Sequence, residues 1–392
     1  MSSAGHLLQN YARAPVTFVS GSGCVLVDAD GREYLDCIAG IACCALGHAH
    51  PAIAEAIADQ AKRLVHTSNL FGHEPAGRLA DELARRTGFD RVFFCNSGTE
   101  ANEAAIKLAR KFAWRAGERN RSTIVACEGA FHGRTYGALA ATDSDAYKEG
   151  FGEMPGGFSF TPFNDVAALD AAIDANTAAF IVEPVQGESG VNPATVEFLQ
   201  AARRLCDERG AMLIFDEIQC GSGRLGTFCA FERFGVRPDV LTMAKALGNG
   251  LPIGAMLCTE RVAVGLQPGD HGSTFGGSPV PCAAALAHMR VRDEMGLEAR
   301  VLSREIELFA GLRALAEKYP AVFESPRGMG LLAALPVRAP YDAKDIVAKA
   351  RDRGVLFGTA GGNVVRIAPP LVIEPSQLAH ALATLGEIAK TL

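Results

Sequence analysis

The sequence predicts an α/β protein with a large, mainly parallel, helix-covered sheet and a smaller α+β region. Between about residues 91 and 259, short apolar runs of strand length alternate with helical segments, which is the pattern of a parallel sheet. After about residue 285 this alternation gives way to a predicted long helix and short strands. The chain has 392 residues, more than one hydrophobic core usually contains, so two domains are expected.

The N-terminal part predicts a side element that precedes the alternating pattern. Residues 24–37 are expected to form a hairpin whose turn contains Asp30 and Gly31. Two helices follow, one beginning near Pro51 and one closing at Gly88. The predicted division is an N-terminal segment, 1–50, that packs with the small domain, a large domain, 51–284, and a small C-terminal domain, 285–392.

The remaining elements follow from the apolar periodicity. Strands are predicted at 91–95, 123–127, 178–183, 211–216, 240–244 and 255–259, with helices at 99–114 and 195–208. In the C-terminal region the prediction is a helix over 291–319, strands at 330–336 and 364–367, and a final helix from Pro375.

Composition narrows the class of protein. Hydrophobic residues make up 48% and charged residues 21% of the chain, which is typical of a soluble globular protein. The net charge of −6 argues against a nucleic-acid or anionic-membrane partner. The N-terminus does not have the pattern of a secretory signal, and no apolar run reaches the ~18 residues of a membrane span. Eleven cysteines without a Cys-x-x-Cys pair favour a cytoplasmic protein with no structural metal.

Asp216 and Lys245 carry the chemistry that the sequence predicts. Each follows a strand-like apolar run, and the carboxyl ends of parallel strands meet at one crevice. A carboxylate for a pyridinium nitrogen and an amine for a Schiff base are what pyridoxal phosphate chemistry requires of its protein. Either residue alone is more simply explained as an ordinary strand-end aspartate or surface lysine.

Several motifs occur together with this pair. They are Ser97-Gly98-Thr99-Glu100-Ala101-Asn102-Glu103, Phe131-His132-Gly133-Arg134-Thr135, Glu183-Pro184-Val185-Gln186-Gly187-Glu188, Asp216-Glu217-Ile218-Gln219 and the block from His271 to Gly277. In combination they resemble the class III aminotransferases of the aspartate-aminotransferase fold, from about residue 11 to residue 370. Within the family the resemblance is nearest to the acetylornithine type. It implies a fold type I transferase that uses pyridoxal 5′-phosphate.

The resemblance implies a cofactor site whose residues come from several segments. A helix start with free amides suits a phosphate, although a simple N-cap also explains Ser97 and Thr99. Phe131 and Ile218 would cover the two ring faces, although an isolated Phe is more often a core residue. Asp216 and Gln219 would address the ring nitrogen and the 3-oxygen. The implied cofactor-binding residues are Ser97, Gly98, Thr99, Phe131, Asp216, Ile218, Gln219, Lys245 and Thr274, of which Thr274 would come from the neighbouring subunit of a homodimer.

The implied substrate-binding residues are Arg134, Glu188, Ser273, Arg366 and Ile41. Arg134 would bind a substrate carboxylate, and Glu188 would gate Arg366. Ornithine-specific relatives have a tyrosine where this chain has Ile41, which offers no partner to a free α-amine. The expected reaction is therefore transfer of the ω-amino group of acetylornithine to 2-oxoglutarate. Succinylornithine, succinyl-diaminopimelate, ornithine and 4-aminobutyrate are the alternative donors.

Other classes of function stay open at this point. Pyridoxal phosphate decarboxylases and aminomutases also use an aspartate and a lysine, but the Glu188 and Arg366 pair favours an aminotransferase. A non-enzymatic binding module would not require Lys245. The sequence departs from the family pattern at Cys43-Cys44-Ala45 and at Gly277-Ser278-Pro279, and both departures bear on the substrate.

Overall fold

The computed structural model describes residues 6–392 and contains a seven-stranded central sheet. Five adjoining strands are parallel, and Gly254–Cys258 runs antiparallel to both of its neighbours. The order across the sheet is Arg91–Cys95, Gly254–Cys258, Val240–Met243, Met212–Asp216, Thr177–Val182, Thr123–Cys127 and Phe158–Thr161. The predicted strands are confirmed within about a residue, and only the edge strand Phe158–Thr161 was not predicted.

The central strands are buried on both faces, which explains their continuous apolar sequences. In the strand Met212–Asp216, Leu213 and Phe215 belong to one core cluster, whereas Met212 and Ile214 belong to another on the opposite face. Alternating side chains thus enter two separate cores, as expected for a helix-covered parallel sheet. The structure is the α/β fold that the sequence predicts.

The helices of the described chain are Pro51–Arg63, Glu74–Thr87, Gly98–Arg115, Tyr136–Ala140, Asp145–Lys148, Val166–Ala172, Val196–Arg209, Phe231–Phe234, Glu260–Ala263, Pro279–Met295, Leu297–Lys318, Ala343–Arg351 and Pro375–Lys390.

The predicted single helix over 291–319 is wrong. Gly296 adopts φ +57°, which ends one helix before the next begins. A left-handed glycine is a common C-terminal stop, and the apolar periodicity on both sides concealed this one.

The C-terminal region contains a second sheet of four antiparallel strands, in the order Arg327–Met329, Leu332–Pro336, Val364–Ile367 and Gly358–Ala360. A two-stranded ribbon, Val185–Gln186 with Asn192–Pro193, follows one central strand. The short segments Arg327–Met329 and Gly358–Ala360 were not predicted, since three residues carry too little alternation to be read as strands.

The N-terminal hairpin is confirmed as Val25–Asp28 and Glu33–Asp36, with the additional strand Phe18–Ser22 at its edge. Glu33–Asp36 also pairs in parallel with Val355–Leu356 of the C-terminal region. This pairing supports the proposed association of the N-terminal segment with the small domain. The limits 1–50, 51–284 and 285–392 stay a prediction, and position 284 lies inside the helix Pro279–Met295.

Across residues 6–392, no helix has both the length and the apolar composition that a membrane crossing requires. All eleven cysteines are free thiols, and nine of them are buried.

Candidate active site

A cavity of about 380 Å³ lies where the parallel strands end. Ten of the predicted site residues line it: Ser97, Gly98, Thr99, Phe131, Arg134, Glu188, Asp216, Ile218, Gln219 and Lys245. Arg366 lies directly behind Glu188, and Ser273 is one hydrogen bond away through Asn96. Ile41 and Thr274 are not part of the lining.

Lys245 and Asp216 reach the cavity from neighbouring parallel strands. Asp216 is the last residue of its strand and pairs in register with Thr242, three residues before Lys245. Lys245 begins a short 3₁₀ turn, Lys245–Gly248, with φ +43°. In the part of the chain that the structure describes, its amine forms no hydrogen bond or ion pair. The left-handed backbone is uncommon for a residue other than glycine, and such conformations concentrate at functional sites.

Three donors hold the carboxylate of Asp216. Asn102 Nδ2 donates to Oδ2 at 2.7 Å, the Ile218 N–H donates to Oδ1 at 3.0 Å, and His132 Nδ1 lies 2.8 Å from Oδ2. The residue is only 4% exposed. These three contacts fix the position of the buried Asp216 carboxyl group in the cavity lining.

Further hydrogen bonds hold Asn102 and His132 in place, and these bonds were not predicted from the sequence. Thr242 Oγ1 donates to Asn102 Oδ1 at 2.8 Å, which leaves the amide NH₂ of Asn102 directed at Asp216. Asn102 also donates to the His132 carbonyl at 2.8 Å. His132 is not among the site residues that the sequence predicts. The sequence shows the motifs in which Asn102 and His132 lie. It does not show which of these distant segments are in contact in the folded chain.

The start of the helix Gly98–Arg115 offers an anion site. Ser97 is its N-cap and accepts from the Glu100 N–H, whereas the amides of Gly98 and Thr99 donate to no acceptor among residues 6–392. A Cβ on Gly98 would lie 2.7 Å from the Ile218 side chain, so only glycine leaves room there. Free amides at the positive end of an 18-residue helix suit a phosphate group.

These residues together fit pyridoxal 5′-phosphate. The cavity provides an anion site for the phosphate, the flat ring of Phe131 and the aliphatic side chain of Ile218 for the ring faces, and Asp216 for the ring nitrogen. Lys245 supplies the only lysine amine among the residues that line this cavity.

Glu188 and Arg366 form an ion pair at one side of the cavity. Arg366 Nη1 donates to Glu188 Oε1 at 2.6 Å, and Gln219 Nε2 donates to the same oxygen at 2.9 Å. Burial opposes ionisation of Glu188, but the Arg366 guanidinium outweighs it and holds the pKa of Glu188 below its usual value. Glu188 and Arg366, which the resemblance to the family pairs with each other, are therefore in contact. Gln219, assigned to the 3-oxygen of the ring, donates to Glu188 in this structure.

Glu183 also lines the cavity, and its pKa is shifted in the opposite direction from that of Glu188. Burial, reinforced by the charge of Asp216, raises the pKa of Glu183 well above its usual value. Its Oε2 accepts a hydrogen bond from the Phe131 N–H at 3.1 Å. The raised pKa of Glu183 favours the neutral form of this carboxyl.

Residues 39–42 form a left-handed turn at the mouth of the cavity. Ala39, Gly40, Ile41 and Ala42 all have φ between +52° and +63°. The Asp36 carboxylate anchors the turn by accepting from the N–H groups of Ile38 and Ala39. The adjoining residue Cys43 lines the cavity, and the side chain of Ile41 is 46% exposed. Left-handed backbone costs an L-residue roughly 1–2 kcal/mol, so this segment is strained.

Thr274 lies in an exposed loop outside its own chain's cavity. Asn69 Nδ2 donates to the carbonyls of Ser273 and Gly276, which ties this loop to the segment around residue 69. Beside it, Phe275 is 60% exposed and contacts the ring of His66. A threonine placed in this way contributes nothing to the cavity of its own chain.

Comparison with known proteins gives the family. The sequence profile of the aminotransferase class-III family matches residues 8–389. The chain belongs to the class III aminotransferases. This class uses pyridoxal 5′-phosphate, so the protein is a pyridoxal-phosphate-dependent transaminase.

Curated relatives cover nearly the whole of this class III aminotransferase. The acetylornithine aminotransferase of Methanocaldococcus jannaschii is 45% identical over 97% of this chain and 95% of its own length. The acetylornithine aminotransferase of Clostridium acetobutylicum is 45% identical over 99% of this chain and 100% of its own length.

Solved structures agree with this class III fold. The ornithine aminotransferase of Toxoplasma gondii superposes with a TM-score of 0.95 at 36% identity, covering 98% of this chain and 93% of its own. The N-acetylornithine aminotransferase of Stenotrophomonas maltophilia superposes with a TM-score of 0.85 at 37% identity, covering 97% of both chains.

Proposed function

We propose that this aminotransferase moves the ω-amino group of N2-acetyl-L-ornithine to 2-oxoglutarate, giving N-acetylglutamate semialdehyde and glutamate, a reaction of arginine biosynthesis. The observation that carries the proposal is the Glu188–Arg366 ion pair, in which Glu188 lines the same cavity as Lys245. The pair supplies a carboxylate site that can be closed for the donor and opened for the acceptor. The acetylornithine aminotransferases among the curated relatives support the choice of donor.

The chain's own residues supply binding and proton transfer. Pyridoxal 5′-phosphate, when bound, withdraws electrons from the carbon that carries the reacting amine. Asp216, held by Asn102 and His132, would pair with the protonated ring nitrogen so that this withdrawal is effective. Lys245 would hold the cofactor in the resting enzyme and, once displaced by substrate, carry the proton to and from the reacting carbon.

The two substrates make opposite demands on the cavity. The ω-amine of the donor stands on a CH₂ carbon with no adjacent carboxylate, whereas 2-oxoglutarate has a carboxylate beside its reacting carbon. An Arg366 that is not paired with Glu188 would attract the carboxylate of the donor. The donor would then enter the cavity with the wrong end first. Glu188 prevents this while it pairs with Arg366, and it must release Arg366 when 2-oxoglutarate arrives. Arg134 would bind the distal carboxylate of both substrates.

The switch requires the ion pair and the substrate pair to be close in free energy. The Glu188 side chain is 28% exposed and that of Arg366 is 7% exposed, so the pair is only partly removed from water. Partly solvated pairs contribute about a few kcal/mol or less, which a substrate carboxylate can match.

Replacing Glu188 with Ala is expected to separate the two half-reactions. The glutamate half-reaction should stay intact or become faster because Arg366 is always available, and the ω-amine half-reaction should slow by about tenfold or more. Stopped-flow absorbance of the cofactor measures each half-reaction separately. Glu188→Gln is the matched control, since it keeps the shape and removes the charge. Equal losses in both half-reactions would show that Glu188 only supports the structure of the site.

The amino donor is identified by a panel assayed with 2-oxoglutarate and scored by the glutamate formed. Ile41 does not itself line the cavity, but the resemblance places it where ornithine-specific relatives have a tyrosine. It has no polar group to pair with the free α-amine of ornithine, and an acylated amine carries no charge to satisfy. Acetylornithine is therefore expected to have a higher kcat/KM than ornithine or 4-aminobutyrate. Succinylornithine and succinyl-diaminopimelate are the nearest competitors. Ornithine as the preferred donor would overturn the substrate proposal, and loss of carbon dioxide from the donor without glutamate would indicate a decarboxylase.

The proposal includes a cytoplasmic homodimer whose subunits share their active sites. Thr274 would reach the cofactor phosphate of the partner subunit. The exposed position of Thr274, outside its own cavity and beside the exposed side chain of Phe275, supports this arrangement.

A mixed dimer of Lys245→Ala and Thr274→Ala subunits tests the shared site. If Thr274 acts across the interface, the mixed dimer contains one intact site, and activity should recover to about half of that of the wild type in each mixed dimer. Turnover after subunit exchange is the measurement, with exchange followed by mass labelling. Confirmed exchange without recovery would place Thr274 in its own subunit's site.

A further inference from the structure

The side chain of Arg134 lines the cavity but has no carboxylate to hold it. Its backbone N–H donates to Thr99 Oγ1 at 3.2 Å. Its guanidinium, in contrast, makes no hydrogen bond and no ion pair with any residue from 6 to 392. An exposed arginine loses about 1.5–2 kcal/mol of rotamer entropy when it is fixed, so another contact must hold it if it is to be ready for a ligand.

Two aromatic rings provide that contact. The Arg134 Cζ atom lies 3.5 Å from the ring centroid of Tyr147 and 5.6 Å from that of Phe131. The two rings meet edge to face, with centroids 6.2 Å apart and an angle of 87° between their planes. A guanidinium on a ring face keeps its N–H donors, which lie in its own plane, available to a carboxylate.

Tyr147 uses its ring face and not its hydroxyl. Within the described residues the hydroxyl makes no hydrogen bond, and the side chain is 36% exposed. The residue belongs to the short helix Asp145–Lys148, none of whose residues lines the cavity. Its contacts with Arg134 and Phe131, which do line the cavity, connect this segment to the site.

We propose that Tyr147 is a positioning residue for substrate recognition. It holds the Arg134 guanidinium in the orientation that binds the distal carboxylate of both the amino donor and 2-oxoglutarate. The inference rests on the proposed function, in which Arg134 binds that carboxylate. Through its edge contact with Phe131, Tyr147 also aligns the carboxylate site with the ring that would cover the cofactor.

Replacements of Tyr147 test the inference in the holoenzyme. Tyr147→Phe keeps the ring and should match the wild type. Tyr147→Leu and Tyr147→Ala should raise KM for the donor and for 2-oxoglutarate about two- to fivefold, which corresponds to about 0.5–1 kcal/mol, with kcat within about twofold. Tyr136→Ala is the matched control, since Tyr136 is also exposed but donates its hydroxyl to the Phe151 carbonyl instead of contacting Arg134.

A double-mutant cycle shows whether Tyr147 acts through Arg134. In an Arg134→Gln background, Tyr147→Ala should cause no further rise in KM, because no guanidinium is left to position. A merely structural role would add its full effect in that background. An unchanged KM in Tyr147→Ala, or an equal loss in Tyr147→Phe, would also overturn the inference.

Calorimetric binding of glutarate separates this inference from the proposed reaction. Glutarate carries two carboxylates and no group that can react, so its binding does not depend on turnover. Its Kd should rise about two- to fivefold in Tyr147→Ala and stay unchanged in Tyr147→Phe. If this pattern holds while no donor yields glutamate, the positioning role stands and the proposed reaction fails. If the wild type does not bind glutarate, or if Tyr147→Ala binds it with unchanged affinity, the positioning role fails even when glutamate is formed.

Discussion

Replacing Lys245 with Ala is expected to reduce turnover by at least about a thousandfold while the cofactor still binds. Two effects would combine, since the variant would lose both the proposed covalent anchor of the cofactor and the proposed base that moves the substrate proton. The proposed phosphate site at Gly98 and Thr99, the proposed ring contacts and Asp216 are unchanged, so pyridoxal phosphate should remain bound non-covalently. The measurements are steady-state turnover and the absorbance of the Schiff base, which should be absent from the resting variant.

Lys62→Ala is the control for this prediction, because Lys62 is an exposed lysine on the helix Pro51–Arg63. It should leave both turnover and the absorbance band as in the wild type. Borohydride reduction followed by peptide mapping adds a direct assignment, since it should label Lys245 in the wild type and no residue in the variant. Near-normal turnover of Lys245→Ala would eliminate the assigned role.

Replacing Asp216 with Asn is expected to lower turnover about a hundredfold or more with the cofactor retained. The substitution keeps the shape and removes the negative charge that would hold the ring nitrogen protonated. It also places an NH₂ group among three donors, from Asn102, His132 and Ile218, so at least one hydrogen bond is lost. Loss of a buried hydrogen bond should reduce the free energy of unfolding by about 1–3 kcal/mol.

A graded comparison distinguishes the charge from the packing. Thr242→Val removes the hydrogen bond that orients Asn102 but leaves the Asp216 charge in place. It should therefore lower stability with a much smaller loss of turnover than Asp216→Asn. Thermal unfolding and kcat, measured on both variants, give the comparison. Full activity in Asp216→Asn would show that the ring nitrogen does not need the carboxylate in this enzyme.

The rule that ligands bind at the carboxyl ends of parallel strands was sufficient to predict that Asp216 and Lys245 share a cavity. Both follow apolar runs of strand length, and the carboxyl ends of neighbouring parallel strands lie at the same edge of the sheet. Local sequence also marked the helix start at Ser97, because the capping pattern is contained within a few residues. The assigned roles of these residues stay predictions.

Contacts between distant segments could not be predicted in the same way. The support of Asp216 by Asn102 and His132 joins three segments of the chain, and no periodicity links them. The stacking of Arg134 on Tyr147 depends on how the chain runs after Thr135 through two short helices, Tyr136–Ala140 and Asp145–Lys148, which the sequence did not predict. The left-handed turn at residues 39–42 was also invisible, because only Gly40 in that segment favours a positive φ.

The strained backbone of Ile41 in that turn affects how the proposed donor preference of this enzyme could evolve. Ile41 has φ +63°, a conformation that a β-branched side chain tolerates worse than almost any other. Replacement by glycine or asparagine, which adopt a positive φ more readily, would reduce this strain. If Ile41 contributes to the choice of donor, as proposed, a change of specificity through such a replacement would come with a gain in stability instead of the usual loss.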